Sequence, residues 1–245
     1  MTGGPVAAVL SGSGPVIPSF GHGQCATNRA SLFCWGWVVR HWGPDLQPRL
    51  LQHVELTALA VGIGFVIAFA AALYAYRRKW FEGGFLGFSS FLYTIPALAL
   101  FLLFVPLTGL DIWTVEIGLV GYTLLVLFRN IVTGLRSVPP EMEAAAKGIG
   151  MTWRQVVLRV NLPMALPSIM AGIRIATVTT ISLATVAADV TPLGLGQPIF
   201  SAIETVFKTE LIAAGGLVIL LALVADGALA LLQRAVTPWL RAAAG

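Results

Sequence analysis

The sequence predicts an all-α integral membrane protein with about five transmembrane helices. Of its 245 residues, 57% are hydrophobic and only 11% are charged, whereas soluble domains carry about 25% charged residues. A soluble fold of this length would lack a charged surface, so lipid is the expected solvent. The 26 glycines fit this class, because small residues let helices pack closely in a bilayer. Spanning strands are not expected, since the apolar runs are continuous rather than alternating.

Five apolar stretches have about the 20 residues that a helix needs to cross the hydrocarbon core. They cover residues 55–76, 85–107, 112–135, 167–188 and 211–232. The second stretch contains Pro96 and Pro106. All five lie within a predicted membrane domain at 54–234.

Short segments with other properties flank this membrane domain. Residues 1–30 are rich in Gly, Ser and Pro and contain Arg29 as their one charged side chain, which predicts a flexible tail. Residues 31–53 carry three of the seven tryptophans. They predict an interfacial helix that leads into the first span, because Trp prefers the headgroup level. Residues 235–245 form a C-terminal tail.

Composition and spacing argue against several classes of function. The formal net charge of +4 reflects where the basic loops lie, and nucleic acid is not an expected partner. The two cysteines and three histidines lack the spacing of a metal site. The chain has no GxxxxGK[ST] loop for ATP and no nucleophile–base arrangement, so it is not expected to be an enzyme. Cys25 and Cys34 can pair only if the first segment lies outside the cytoplasm, and their spacing leaves this open.

Basic residues are concentrated on one side of a five-span topology. Nine of them fall in the connections that share this side, against one in the opposite loops. Three more in the N-terminal segments reduce the contrast without reversing it. Because cytoplasmic loops are enriched in Lys and Arg, the N-terminus is predicted outside and the C-terminus in the cytoplasm. The nine residues are Arg77, Arg78, Lys79, Arg136, Lys147, Arg154, Arg159, Arg234 and Arg241.

The connection at 138–167 is too polar to cross the membrane, yet it is strongly patterned. Two prolines can open a helix, two glycines can end it, and a Thr-x-x-Gln capping box can begin a second helix. The pattern predicts two short amphipathic helices on the cytoplasmic surface, a shape suited to docking in a groove of a soluble partner. These signals are Pro139, Pro140, Gly148, Gly150, Thr152 and Gln155.

This connection resembles the EAA loop of ABC importer permeases. The motif is Glu-Ala-Ala, three residues, Gly, nine residues, a branched aliphatic residue, one residue and Leu-Pro. Counted from Gly150, the second half matches, but Glu143 stands one residue early and Ala144 occupies the usual Glu position. One residue corresponds to about 100° around a helix, so the contact of that Glu is expected to be absent or shifted. The resemblance implies an ATPase-coupling surface that includes Glu141, Glu143, Ala144, Ala145, Gly148, Gly150, Val160, Leu162 and Pro163.

Further stretches resemble the osmoprotectant permeases, which import glycine betaine, proline betaine, choline or carnitine. The resemblance includes Asp226 and extends over about residues 45–240. Pro192 and Leu193 depart from the glycine-rich run expected before Gly194. The stretches are Thr94 to Leu100, Arg129-Asn130, Gly172 to Thr177 and Gly194 to Gly196.

The resemblance implies a fold like that of type I ABC importer permeases, in the bacterial plasma (inner) membrane. It also implies a second permease subunit, identical or a sister chain, two cytoplasmic ABC ATPases and an extracytoplasmic solute-binding protein. This chain is expected to hold no cofactor, because ATP and Mg²⁺ would bind to the partner ATPase.

Two other interpretations remain open at this point. The cargo of such an importer could be an amino acid or an ergothioneine-like betaine. Alternatively, the chain could be a small helical channel or carrier that works without ATPases. Carriers usually show repeated halves with interrupted helices, and the sequence shows no such repeat. That alternative also leaves the pattern at 138–167 unexplained.

Six residues are candidates for the translocation pathway. A carboxylate inside a span marks a functional site unless it pairs with a nearby arginine, and for Asp226 both Arg129 and Arg174 are possible partners. Carboxylates near the outer face either attract a cationic solute or are simply solvated. Tyrosine rings offer a face to a quaternary ammonium group. The candidates are Tyr93, Pro96, Tyr122, Glu116, Asp189 and Asp226.

Overall fold

The computed structural model describes residues 33–239, and within this range the chain forms helices and no β-strand. Four helices are long and apolar enough to cross a membrane, and a bent pair brings the number to five if it counts as one span. The prediction of an all-α membrane protein with about five spans is therefore confirmed. The helices are α1 (Trp35–His41), α2 (Gln47–Arg77), α3 (Lys79–Thr94), α4 (Ala97–Thr108), α5 (Ile112–Arg136), α6 (Pro140–Gly148), α7 (Trp153–Val156), α8 (Leu162–Ala187), α9 (Gly196–Thr205) and α10 (Lys208–Val236).

The predicted tail at 1–30 and the end of the tail at 235–245 lie outside the described residues. Cys34 is disulfide-bonded, and Cys25, the other cysteine of the chain, lies outside the described range.

Two of the spans extend further than the apolar runs indicate. A π-helical turn at Trp42–Leu46 joins α1 to α2, so the predicted interfacial helix continues directly into the first span. A second π-helical turn at Val157–Asn161 joins α7 to α8, and the fourth span begins well before residue 167. Pro163 does not end this helix, because it lies in the first turn of α8, where a missing N–H is tolerated.

The second predicted span is not one helix, and the prediction of a continuous helix at 85–107 is wrong. α3 and α4 meet at a bend of 99°. Ile95 has the extended conformation, with φ −68° and ψ 130°, because proline disfavours the helical region for the residue before it. The hydroxyl of Tyr122 on α5 donates a hydrogen bond to the Ile95 carbonyl. Pro106, by contrast, lies inside α4 without breaking it.

α5 forms the centre of the bundle, with α2 and α8 packed closely against it. Most of its membrane segment is buried, whereas α10 lies at the periphery. Small residues at intervals of four line the buried face of α2: Ala60, Gly64, Ala68 and Ala72. A Cβ atom at Gly64 would lie 1.9 Å from Thr123 Oγ1 on α5. Small residues at this spacing let two helix axes approach closely in a membrane.

α9 is an element that the sequence did not predict. It occupies Gly196–Thr205, between the fourth and fifth spans, and ends at Val206 with a left-handed φ of 56°. Its ten residues are too few to cross the bilayer, so a search for long apolar runs passes over it.

The close contact of α5 with α8 generates a stability prediction. A Cβ atom at Gly134 would lie 2.9 Å from Ser168 Cβ and 3.0 Å from the Ala165 carbonyl oxygen. Gly134→Ala should therefore force the helices apart and lower the thermal unfolding midpoint in detergent, at a cost of about 1–3 kcal/mol. Gly62→Ala is the matched control, because nothing lies within 4 Å of a Cβ atom there. Equal midpoints for the two variants would contradict the described packing.

Candidate coupling surface and translocation pathway

One carboxylate holds α6 against the end of the first span. Glu143 accepts hydrogen bonds from the Tyr76 hydroxyl at the end of α2 and from Asn161 Nδ2 in the second π-helical turn, at 2.9 Å. Asn161 Nδ2 also donates to the Tyr76 oxygen at 2.8 Å, and Lys147 Nζ lies 3.5 Å from the carboxylate. The end of α2, α6 and the second π-helical turn therefore meet at Glu143.

These contacts lower the pKa of the Glu143 carboxyl group below its ordinary value. The hydrogen bond from Tyr76 is the largest cause, and Asn161 and the positive charge of Lys147 act in the same direction. Hydrogen bonds donated to the charged form of a carboxyl group stabilise that form. Glu143 thus faces the end of α2 and the second π-helical turn, whereas Ala144, in the usual position of the motif's Glu, is exposed.

The turn after α6 has the geometry that the sequence indicates. α6 ends at Gly148, and Gly150 has a φ of +84°, a conformation that favours glycine. Thr152 and Gln155 form the predicted capping box, with the Thr152 N–H donating to Gln155 Oε1 at 2.7 Å. The guanidinium of Arg77 lies 3.8 Å from the centre of the Trp153 ring, which adds a cation–π contact between α2 and α7.

The second predicted surface helix does not lie apart from the spans. α7 continues through the π-helical turn into α8, so the helix from Trp153 to Ala187 is continuous over 35 residues. Val160 lies in this turn, and Leu162 and Pro163 lie at the start of α8, all three half-buried. The second half of the motif therefore forms the link between the turn after α6 and the fourth span.

The outer surface of α6 and its turn is apolar and exposed. Ile149 is 76% exposed and Met142 is 41% exposed, and the small side chains of Ala144 and Ala145 are exposed beside them, as is Glu141. Large apolar side chains grouped on a water-facing surface are typical of a site that binds another protein. We call this surface, formed by Met142, Ala144, Ala145 and Ile149, the α6 face.

The structure brings three of the six pathway candidates together at the break in the second span. The rings of Tyr93 and Tyr122 are 5.5 Å apart in an edge-to-face arrangement. The Tyr122 hydroxyl binds the Ile95 carbonyl next to Pro96. Non-helical backbone at membrane depth is tolerated where protein buries it or where it lines a water-filled cavity. Tyr122 thus supports the break, and Tyr93 is partly exposed beside it.

Two other candidates differ sharply in their surroundings. Glu116 on α5 is only 2% exposed, and neither of its carboxylate oxygens has a hydrogen-bond partner within the described residues. Asp189 lies just beyond the end of α8 and is exposed. Only Glu116 therefore carries the cost of removing a carboxyl group from water.

Asp226 pairs with Arg174, one of the two arginines that the sequence offers. Nε and Nη2 of Arg174 donate to Oδ1 and Oδ2 of Asp226, both at 2.8 Å. This two-pronged geometry is the strong form of the Arg–carboxylate interaction. Arg174 Nη1 also lies 3.5 Å from Gln233 Oε1. The pair fastens α10, otherwise peripheral, to α8.

Gln52 and His53, two neighbours on α2, hold the chain between α8 and α9. His53 is fully buried; its Nε2 is 3.1 Å from the Ile181 carbonyl, and its Nδ1 accepts from the Leu195 N–H at 3.2 Å. A carbonyl can only accept, so Nε2 carries the proton and the ring is neutral. Gln52 Oε1 accepts from the Gly194 N–H at 2.8 Å.

Sequence reasoning treated His53 only as a poor metal ligand and missed this role. Gly194 has a φ of +59°, and a Cβ atom there would lie 2.8 Å from His53 Nδ1. A lone histidine at the start of an apolar run was the available signal, but its partners are 128 and 142 residues away.

Comparison with known proteins shows the family to which this chain belongs. The family model of the binding-protein-dependent transport system inner membrane component matches residues 60–238, which is most of the chain. The chain belongs to this family. It is thus the membrane-spanning permease subunit of an ABC importer, and ATP hydrolysis belongs to a separate subunit.

Related permeases match along nearly their full length. The osmoprotectant import permease protein OsmW of Salmonella typhimurium is 38% identical over 192 residues, which cover 76% of this chain and 89% of that protein. The glycine betaine/carnitine/choline transport system permease protein OpuCB of Bacillus subtilis is 35% identical over 198 residues, 80% of this chain and 90% of that one.

Solved structures confirm the type of fold. The methionine ABC transporter MetNI, in an inward-facing conformation, contains a chain that superposes with a TM-score of 0.68. The match covers 77% of this chain and 94% of that one at 20% identity. The predicted type I ABC importer permease fold is therefore confirmed.

The contacts of Glu143 predict a pH-dependent contribution to stability. Because the pKa in the folded state is lowered, this contribution is present above the unfolded value of about 4.3 and is lost as the pH falls through the folded pKa. Glu143→Gln should cost about 1–2 kcal/mol at neutral pH, with the gap from the parent protein closing in acid. Thermal unfolding in detergent across this pH range measures it. Glu141→Gln, on the exposed side of α6, is the matched control, and a gap that stays constant with pH would refute the prediction.

The buried histidine predicts a larger loss. His53→Ala removes two hydrogen bonds. It leaves the Leu195 N–H buried without its acceptor and a cavity in place of the ring, whereas the Ile181 carbonyl still accepts from the Thr185 hydroxyl, and the cost should be about 2–4 kcal/mol. We expect a clear fall in the thermal unfolding midpoint in detergent. Gln52→Ala removes one hydrogen bond at a half-buried site and should cost less than half as much. If both variants lost the same amount, His53 would not be the main support of this segment.

Proposed function

We propose that this permease subunit forms the pathway through which an ATP-driven importer moves a small osmoprotectant, such as glycine betaine, choline, carnitine or proline betaine. Two relatives, in Salmonella typhimurium and Bacillus subtilis, carry names of this cargo class and share more than a third of their aligned residues with this chain. The observation that carries the coupling part of the proposal is the α6 face, an exposed apolar surface on a helix braced against two spans.

The family implies partners that deliver solute and hydrolyse ATP. In our proposal, a second permease subunit, either a copy of this chain or a sister chain, completes the pathway within the bilayer. Two cytoplasmic ABC ATPases bind the region from Glu141 to Leu162, one on each permease subunit. ATP and Mg²⁺ bind to those ATPases and not to this chain. An extracytoplasmic solute-binding protein docks at the opposite end.

The contacts of α6 supply a route for movement. A push on the α6 face reaches α2 through the Glu143–Tyr76 hydrogen bond and reaches α8 through Asn161. Because α7 and α8 form one continuous helix, displacement of the loop moves the fourth span with it. Helices that shift as packed units are a common means of switching between two states. The exchange between outward and inward states would follow from this movement.

We also propose that the N-terminus lies outside and the C-terminus in the cytoplasm. The ends of α2 and α5, with Arg77 and Arg136, lie at the same end of the bundle as α6. Basic residues favour the cytoplasmic side. Cys34 is disulfide-bonded, which supports an oxidising compartment for the opposite end.

Ile149→Asp tests the coupling surface. A carboxylate at the most exposed apolar position of the α6 face should prevent an apolar partner surface from closing over it, because the charge would lose its water. We expect co-purification of the ATPase from mild detergent to fall by about tenfold or more, and uptake to fall with it. Gly150→Asp, in the same turn, should likewise uncouple ATP hydrolysis from uptake while the protein stays in the membrane.

Ile203→Asp is the matched control, since Ile203 is 55% exposed on α9 at the opposite end of the bundle. It should leave ATPase co-purification unchanged. The parent complex should also show ATPase activity stimulated by glycine betaine-loaded binding protein. If no ATPase co-purifies with the parent protein, the coupling proposal fails and a channel or carrier takes its place.

A further inference from the structure

The Arg174–Asp226 pair lies in an unusual place for two charges. Arg174 is at the middle of α8, and Asp226 lies well inside α10. Their side chains remain 32% and 39% exposed, so the pair is not sealed inside the bundle. Charged side chains within spans almost always face the bundle interior or a water-filled cavity, and they mark solute pathways. This surface of α8 and α10 is therefore the side that lipid is least able to cover.

A groove of about 520 Å³ lies at this surface. Its volume falls within the range of about 300–1,000 Å³ that is usual for small-molecule sites. Aliphatic side chains and one hydroxyl accompany the two charges, so the groove is mostly apolar with a few polar groups. The lining residues are Ala171, Arg174, Ile175, Val178, Thr179 and Asp226.

We propose that the Arg174–Asp226 pair is a transient binding site for zwitterionic solutes, an inference that rests on the proposed function. The guanidinium receives the solute's carboxylate, and the Asp226 carboxylate receives its cationic group. Nε and Nη2 of Arg174 donate to Asp226. Nη1 makes only a long contact with Gln233 Oε1, at 3.5 Å. Arg174 thus keeps donor capacity for a carboxylate even while the pair is closed.

Charge balance gives this site its selectivity. A zwitterion has no net charge, and the Arg–Asp pair has none either, so each of the four charges meets an opposite one in the complex. A solute with a cationic group alone could pair with Asp226 only by leaving Arg174 without a partner. That complex would also lack the charge-assisted hydrogen bonds that a carboxylate accepts from Arg174. The site therefore favours betaines with a carboxylate, such as glycine betaine or carnitine, over choline.

The decisive experiment measures solute binding to the purified permease–ATPase complex without the solute-binding protein. Equilibrium dialysis with radiolabelled glycine betaine and with radiolabelled choline supplies two affinities for each variant. We expect the parent complex to bind glycine betaine about tenfold or more tightly than choline. The double variant Arg174→Gln with Asp226→Asn keeps polar side chains of similar size, and it should bind glycine betaine at least about tenfold more weakly.

The matched control neutralises a second Arg–carboxylate pair between two helices, by Glu82→Gln with Arg136→Gln. That pair joins α3 to the cytoplasmic end of α5, so its loss should leave both affinities unchanged. Unchanged glycine betaine affinity in the Arg174–Asp226 double variant would overturn the inference, as would choline binding equal to that of glycine betaine. If the double variant releases single permease subunits, the pair serves assembly and the inference is wrong.

If the double variant does not fold, a second variant tests the proposed binding site. Arg174→Lys retains the positive charge but not the two-pronged geometry; it should assemble and bind glycine betaine about tenfold more weakly, and an unchanged affinity would overturn the inference. The proposed function has a separate readout, the ATPase activity stimulated by solute-loaded binding protein. Stimulation without direct binding would refute this site alone, whereas absence of stimulation by every betaine would refute the proposed cargo.

Discussion

The constraint on which this structure depends is that lipid cannot hydrogen-bond to the backbone. A break in a helix at membrane depth therefore has to be buried in protein or to line a water-filled cavity, and here side chains from other elements bind two such breaks. At the bend between α3 and α4, Tyr122 binds the carbonyl of Ile95. Between α8 and α9, Gln52 and His53 accept the N–H groups of Gly194 and Leu195. Tyr122, Gln52 and His53 are thus located where the helices are interrupted, and their positions follow from the same rule that makes the remainder helical.

The length of the apolar runs was enough to predict the fold class and the number of spans, because a bilayer imposes one length on every crossing helix. Local sequence was enough to predict the turn at 148–155, because its capping residues bind each other across three positions of the chain. The bend at Pro96 was not predictable from the presence of a proline, since Pro106 in the same apolar run lies within a helix. α9 and the role of His53 were missed because one is shorter than a span and the other depends on partners far away in sequence. Asp226 was predicted to have an arginine partner, but only packing decides between Arg129 and Arg174.

The position of Glu143 shows how a shift of one residue along the chain changes what the carboxylate of a motif contacts. A shift of one position turns a helical side chain by about 100°, which is enough to move a carboxylate from an outer surface to an inner one. Here the carboxylate binds Tyr76 and Asn161, and the α6 face is composed of alanine, methionine and isoleucine. Recognition at this surface would then depend on shape and apolar area more than on charge.

The unbroken helix from Trp153 to Ala187 has a mechanical consequence. Its 35 residues correspond to about 52 Å at the usual rise per residue, so one helix reaches from the turn after α6 to the level of His53 and α9. A tilt of about 5° around its midpoint moves the two tips in opposite directions by about 2 Å each. For such a lever, widening at one membrane face and narrowing at the other are a single motion, and the two mouths of the pathway need no separate signal to stay out of phase.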